Sequence, residues 1–342
     1  MKVKTAVVIL NWNGRKFLEQ FLPLVISRSH DQAAIIVADN ASTDDSVDML
    51  RHNFPEIEII INPTNSGYAG GYNEALKQVD AEYYILLNSD IEVGENWIEP
   101  VIAMMDADKS IAACQPKIRS YFDPESFEYA GAAGGFLDTF GYPFCRGRLF
   151  QTIEKDNGQF DDPCEIFWAT GACMFVRAEV FHAAGGFDAD FFAHMEEIDL
   201  CWRIKNMQYK VMYCPDSIVY HIGGGTLPKN SPRKTFLNMR NNLFLLCKNL
   251  PTSKLFPILF TRFILDAIAS IKFLIDGGIG DFWAVVKAHM SFYANFNKLL
   301  KKRKTTQSHV IGIFHGNIVW EYYVMRHYTF KELPDRFKKK IR

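Results

Sequence analysis

The sequence of 342 residues contains no Cys-x-x-Cys pair, and its seven cysteines (Cys114, Cys145, Cys164, Cys173, Cys201, Cys214 and Cys247) are odd in number. That pattern disfavours a zinc cage or a closed disulfide framework and suits a reduced, cytoplasmic protein with buried thiols. No secretory signal is read: the apolar run inside the opening MKVKTAVVILNWNG is short and stops at polar residues, as a strand does. No long apolar run is free of charge. Leu255 to Ile275 comes nearest, but it holds Arg262, Asp266 and Lys272, each costly in hydrocarbon. An interfacial amphipathic helix or a buried helix is therefore expected, not a spanning one. The phosphate-loop pattern G-x-x-x-x-G-K-[ST] and the dinucleotide fingerprint G-x-G-x-x-G are both missing. Internal repeats and low-complexity segments are missing too.

Net charge is close to nil, at −1, yet the charges are segregated. Residues 229–342 hold 21 Lys+Arg against 6 Asp+Glu, and residues 1–228 hold 17 against 33. An acidic, cation-tolerant body and a basic tail that meets an anionic surface follow, with no nucleic-acid partner expected. At 48% hydrophobic and 23% charged residues the composition is that of a globular chain, long enough for one large domain plus a smaller one.

Tyr84-Ile85-Leu86-Leu87 is an unbroken apolar run that stops at Asn88-Ser89-Asp90. It reads as a strand buried on both faces, with its polar end at the rim of a crevice, where ligands of open α/β sheets bind. Asn88 and Asp90 are two residues apart and can face the same side, offering oxygen ligands suited to Mg²⁺ or Mn²⁺. Val3–Leu10, Ile35–Ala38 and Ile57–Ile61 read as three further strands alternating with helices, which predicts a doubly wound, mostly parallel sheet. Ser42 or Thr43 is the expected N-cap of a helix through Leu50. The stretch Asn65 to Asn73, with Gly70 and Gly71, reads as a Gly-rich loop before a helix at 74–79, a place where phosphate can meet backbone N–H groups. Residues 110–165 read as loops over the sheet.

A second acidic cluster, Glu196-Glu197-Ile198-Asp199, opens a helix, where carboxylates either complement the helix dipole or supply a general base. His221 ends a strand before Gly223, Gly224 and Gly225, which suits a movable loop. Beyond residue 229 three helices are expected, with basic runs at Lys301-Lys302-Arg303-Lys304 and Lys338-Lys339-Lys340. They would meet the inner face of a membrane, or pack on the body or on a second copy.

Taken together, Val8 to Gly14, Val37 to Asp44, Asn65 to Asn73, Leu86 to Asp90 and Phe191 to Arg203 resemble family 2 glycosyltransferases of GT-A fold, particularly the bacterial rhamnosyltransferase-like group. The resemblance runs from Val7 to about Thr226, and Arg240-Asn241-Asn242 to Pro251 resembles a stretch that often follows. It implies a GT-A catalytic domain at 1–228, with donor binding in 1–110 and the acceptor side in 111–228, and a helical basic extension at 229–342. It implies that Asp39 binds the nucleoside of a UDP- or dTDP-sugar with Asn11 and Asn40 beside it. Gly70, Gly71, Asn73, Asn88 and Ser89 complete the expected donor site. Asp90, with Asn88, stands at the family's Asp-x-Asp-like metal motif, and His221 matches a His that binds the metal in some members. Glu197 matches the position of the catalytic base, a Glu where Asp is usual, with Glu196 and Asp199 as alternatives. The implied activity is metal-dependent, inverting transfer of a sugar to a saccharide or lipid-linked saccharide in polysaccharide synthesis. A non-catalytic sugar-binding homologue and a sugar-nucleotide pyrophosphorylase are the rival readings.

Overall fold

In the computed structural model, which describes residues 3–29, 31–223, 231–304 and 310–337, strand β1 (Val3–Asn11) runs through the middle of the molecule. Its Val7 and Ile9 enter one hydrophobic core, and Ala6 and Val8 enter the other, as the two-residue period of a strand dictates. Strands β2 (Ala34–Asp39), β3 (Glu58–Ile61) and β4 (Ala81–Asn88) extend the sheet in the order β3-β2-β1-β4, all parallel. The register pairs Asn11 with Asp39 and Leu10 with Asn88, so the polar ends of three strands share one rim. Helices α1 (Arg15–Ser29), α2 (Ser46–Asn53) and α4 (Glu99–Ala107) line the first core, and α3 (Gly67–Leu76) and α5 (Ala178–Ala183) line the second.

Beyond β4 the sheet becomes mixed. β5 (Ile91–Val93), β6 (Ile111–Ser120), β11 (Cys164–Glu165), β12 (Cys173–Arg177) and β13 (Lys210–His221) complete it, with β12 inserted antiparallel between β4 and β6. Between β6 and β11, strands β7 (Gly135–Asp138), β8 (Pro143–Cys145), β9 (Arg148–Leu149) and β10 (Thr152–Ile153) form a second, smaller sheet. The stretch read as loops thus contains a buried ten-residue strand. Gln115, Pro116 and Lys117 hid it by interrupting its apolar run. Pro116 is tolerated because the pairing of β6 with β13 is irregular there, and buried Lys117 donates to Asp156 (2.9 Å) and to Asp161.

Two other expectations are corrected. The Gly-rich stretch is mostly helix: α3 begins at Gly67 and includes Gly70 and Gly71. It packs so closely on the sheet that a Cβ at Gly71 would stand 2.9 Å from both amide atoms of Asn40. The helix after β2 starts at Ser46 with Asp45 in the cap position, not at Ser42 or Thr43. The backbone N–H groups of Thr43 and Asp44 donate instead to Asn13 Oδ1, at 2.7 and 3.2 Å.

α6 (Glu196–Asn206) is followed, after β13, by α7 (Pro232–Asn249), α8 (Thr252–Ile275) and α9 (Ile279–Lys302), then by β14 (Ile313–Phe314) and α10 (Ile318–Tyr323). β14 pairs with β7 and completes the small sheet. Among the described residues no helix is long and apolar enough to cross a membrane. Two charges of α8, Arg262 and Asp266, point inward. Arg262 Nε donates to Asp266 Oδ1 (2.7 Å), its Nη1 reaches Asn242 Oδ1 (2.6 Å) and the Phe140 carbonyl (3.1 Å), and His289 Nε2 lies 3.1 Å from Asp266 Oδ2. Asp266→Ala would strand a buried guanidinium and should cost about 3–5 kcal/mol of folding stability. Urea unfolding at neutral pH measures this, and a loss below about 1 kcal/mol would mean the pair is not buried in solution.

Candidate active site

The rim where β1, β2 and β4 end is held by side-chain amides. Asn11 Nδ2 donates to Asp39 Oδ1 (3.0 Å) and to Ser42 Oγ (3.1 Å), while Asp39 Oδ2 accepts from the Ser42 N–H (2.9 Å). Asn40 Nδ2 donates to Asn65 Oδ1 and the Gly67 carbonyl, both at 3.0 Å, tying the β2 end to the start of α3. Asn73, further along α3, gives and receives a hydrogen bond with the Phe187 backbone (2.8 and 2.9 Å). Gly70, Gly71 and Asn73 therefore sit in the packing of α3, a structural duty visible beside any role toward a donor.

At the end of β4 the Asn88 N–H donates to the Ala172 carbonyl (2.9 Å), and Asp90 turns inward toward β13. His221, on β13, lies between two carboxylates: Nε2 is 3.2 Å from Asp90 Oδ1, and Nδ1 is 3.4 Å from Glu128 Oε2. Burial alone would lower the imidazole pKa. The charge of Glu128, then Asp90, reverses this and raises it to about 10. Glu128 is held below its usual range by His221, against its own burial.

The second carboxylate group stands at the start of α6, after a turn in which Phe192, His194 and Met195 have φ of 64°, 70° and 71°. Such left-handed conformations are costly for residues other than glycine and tend to persist only where surrounding contacts enforce them. Here Asn241 of α7 enforces them: its Nδ2 lies 2.9, 2.9 and 2.7 Å from the carbonyls of Phe191, Ala193 and His194. Asn241→Ala should lower kcat by roughly tenfold while costing about 1–3 kcal/mol of stability, the scale of unmet buried hydrogen bonds. Parallel kinetics and thermal unfolding check it.

Glu196 Oε2, Glu197 Oε2 and His194 Nε2 are buried without hydrogen-bond partners among the described residues. Such atoms are rare in folded proteins. Burial raises the Glu197 carboxyl to about 7; burial and then the neighbouring Glu197 push Glu196 well above its usual range. Burial also lowers His194 to about 4. Asp199 differs. It is 0% exposed and accepts from Arg203 (2.8 Å), Lys248 (2.8 Å) and Asn249 (2.8 Å), and the two cations, helped by the amide, hold its pKa down against its burial.

The two carboxylate groups lie on one rim. Tyr68 of α3 donates to the Gly171 carbonyl (2.6 Å), next to the Ala172 that binds Asn88, and its hydroxyl feels the charges of Glu196 and Glu197. The Ala69 N–H donates to the Phe192 carbonyl (3.2 Å). The profile of the family described as Glycosyl transferase family 2 matches residues 6–185, over half of the chain. The chain belongs to this family.

The glycosyltransferase is 25% identical over 233 residues to the N-acetylglucosaminyl-diphospho-decaprenol L-rhamnosyltransferase of Mycobacterium tuberculosis, spanning 63% of this chain and 75% of that one. It is 24% identical over 259 residues to the dTDP-rhamnosyl transferase RfbF of Shigella flexneri, spanning 71% and 79%. Among solved structures it resembles GalNAc-T7 with UDP, GalNAc and Mn²⁺ (TM-score 0.55, 17% identity, 72% of this chain and 48% of that one). It also resembles S. aureus TarS 1-349 in complex with UDP-GlcNAc (TM-score 0.53, 13% identity, 87% and 91%). These likenesses show a GT-A glycosyltransferase fold.

The donors of this glycosyltransferase suit a divalent cation on condition that the cation displaces the proton His221 shares with Asp90. Asp90 and His221 converge within hydrogen-bonding distance, and a carboxylate stands behind the imidazole, the arrangement that orients metal-binding histidines. Among the described residues no group of three His, Cys, Asp or Glu could hold a metal by itself, so substrate phosphate and water would complete the shell. Three contributors escaped the sequence reading. Glu128 lies in a stretch with no motif, Tyr68 looked like part of a loop, and Asn241 stood in a stretch, from Arg240 to Pro251, that resembles one often following the domain but that pointed to no role for it. Gly224, Gly225 and Thr226 lie outside the described residues.

Proposed function

We propose that this glycosyltransferase moves a sugar from a nucleoside diphosphate sugar to a hydroxyl of a saccharide, by a single displacement that inverts the anomeric carbon. The observation that carries the reading is the pair of carboxyl groups at the start of α6, each with one buried oxygen that has no hydrogen-bond partner among the described residues, on the rim shared with Asp90. Glu197 is the base, because burial raises its carboxyl to about 7, while Asp199 is bound up in ion pairs and burial, then Glu197, pushes Glu196 well above its usual range. The acceptor oxygen gives its proton to Glu197 and bonds to the anomeric carbon. The bond from that carbon to the diphosphate oxygen breaks, and its electron pair leaves with the diphosphate.

Asp39, with Asn11 and Asn40, holds the nucleoside, and Asn88 and Ser89 lie beside the diphosphate. A Mg²⁺ or Mn²⁺ held by Asp90 and His221 would supply charge that offsets the departing diphosphate. Residues 1–228 are the catalytic domain in this reading, and 229–342 extend it with helices and with β14, which joins the small sheet. The names of the relatives favour a dTDP-deoxyhexose donor and a lipid diphosphate-linked acceptor; in this reading the acceptor is met at the inner face of a membrane, in polysaccharide synthesis. Thermal unfolding with UDP- and dTDP-sugars, each with Mn²⁺ or Mg²⁺, tests the donor, since a bound ligand stabilises the folded state. Transfer assays with the stabilising sugar test the reaction. Stabilisation with no turnover on any acceptor would favour the non-catalytic reading.

A further inference from the structure

α8 is built inside out. Its inward face carries Arg262, Asp266 and Ser270 among a few aliphatic residues. Its outward face carries Phe256, Phe260, Ile264, Ile268, Ile271 and Ile275, each between 48% and 79% exposed. A helix on the surface of a water-soluble body shows the reverse arrangement. The spacing of these residues by three and four makes one continuous stripe along the helix. Contiguous exposed apolar surface of this kind marks a contact site.

We infer that this stripe is the surface by which the protein lies on an anionic lipid bilayer. Charge argues for that occupant. Lys254 and Lys272 are both exposed and 18 residues apart, five turns at about 3.6 residues each, so they sit on the same flank of α8, where Lys272 also pairs with the exposed Asp276. Their long stems can lie along apolar surface while the ammonium groups reach lipid phosphates. On α9, Trp283 and Met290 are exposed on either side of the exposed Lys287. Trp320 and Tyr323 of α10 are exposed as well, and Tyr323 lies within electrostatic reach of Lys272. Aromatic residues with a polar edge suit the headgroup level. A second copy is a poorer partner, because two-fold pairing of α8 in antiparallel fashion would set Lys254 against Lys272.

The basic run at 301–304 contributes less than its charge suggests. Lys302 is bound to Asp188 (2.6 Å) and Asp190 (2.7 Å), and Arg303 donates to the Cys247 and Leu250 carbonyls. Lys338, Lys339 and Lys340 lie outside the described residues.

The inference deepens the membrane reading made above and rests on it. Flotation of the full chain with liposomes of phosphatidylcholine, with and without phosphatidylglycerol, is the test, run at low and high salt. The wild type should float only with phosphatidylglycerol, and less at high salt. Ile264→Glu with Ile268→Glu should weaken that binding at least tenfold, and Lys254→Gln with Lys272→Gln and Lys287→Gln should remove its dependence on phosphatidylglycerol. The melting temperature and activity on a water-soluble acceptor should stay near wild type in both variants. If the wild type does not float, the membrane reading and this surface fail together. If it floats and both variants float equally well, this surface alone is wrong. A wild-type dimer in light scattering that the glutamate pair dissociates would make the second copy the occupant and overturn the inference.

Discussion

Glu197→Gln should lower kcat by about 10²-fold or more, the scale of a lost general base, with the donor dissociation constant nearly unchanged. The amide keeps the size of the carboxyl but cannot take the acceptor proton. Wild-type kcat/KM should fall on the acid side of about pH 7, where burial places the Glu197 carboxyl, and the variant should lose that limb. The sign for stability is the opposite. A carboxyl whose folded pKa is raised above its unfolded value favours folding while protonated, and that contribution is lost as pH rises through the folded value. Glu197→Gln should therefore match or exceed the wild type in melting temperature at pH 8. A Glu196→Gln variant with the large kcat loss, beside a fully active Glu197→Gln, would move the base by one residue.

Asp90→Ala should reduce transfer by at least about 10³-fold, since a cation at the departing diphosphate is worth several kcal/mol. Nucleotide binding that depends on Mn²⁺ should vanish with it. Calorimetric titration of UDP and dTDP, in Mn²⁺ and in EDTA, separates this from misfolding: the variant should bind in Mn²⁺ no better than the wild type does in EDTA. The fold should survive, because the β4 pairing is backbone hydrogen bonding and Asp90 lies beyond its last paired residue. Full wild-type turnover in excess EDTA would remove the cation from the mechanism.

The parallel half of the sheet was legible because β1, β2 and β4 are near-continuous apolar runs, the mark of strands covered on both faces. The positions of Asp90, at the end of such a run, and of Glu197, at the start of a helix, were legible too, but the runs alone gave them no role: a turn or a helix dipole explains such carboxylates equally well, and the expected roles came from the resemblance. β6 was not legible, because its lysine and proline are paid for by partners forty residues away or by an irregular register. Glu128 gains meaning only where the fold sets it behind His221. In α8 the periodicity was visible, but a period does not say which face turns inward. The usual assumption that charges face water gives the wrong face, because Arg262, Asp266, Asn242 and His289 satisfy one another inside.

The pairing of β14 with β7 bears on how the chain is made. Thr139, just after β7, and Phe314 of β14 are 175 residues apart, yet the Thr139 hydroxyl donates to the Phe314 carbonyl. At a synthesis rate of roughly 5–20 residues per second, the edge of β7 waits roughly 10–35 s for its partner. During that interval Phe136 and Phe144 also lack Phe330 and Phe337, the rings that later pack on them. An open strand edge beside bare aromatic rings invites pairing with a neighbouring nascent chain. The small sheet is thus a part of the molecule that stays open until the chain is nearly complete, and its exposed edge and rings are what a chaperone would cover in that interval.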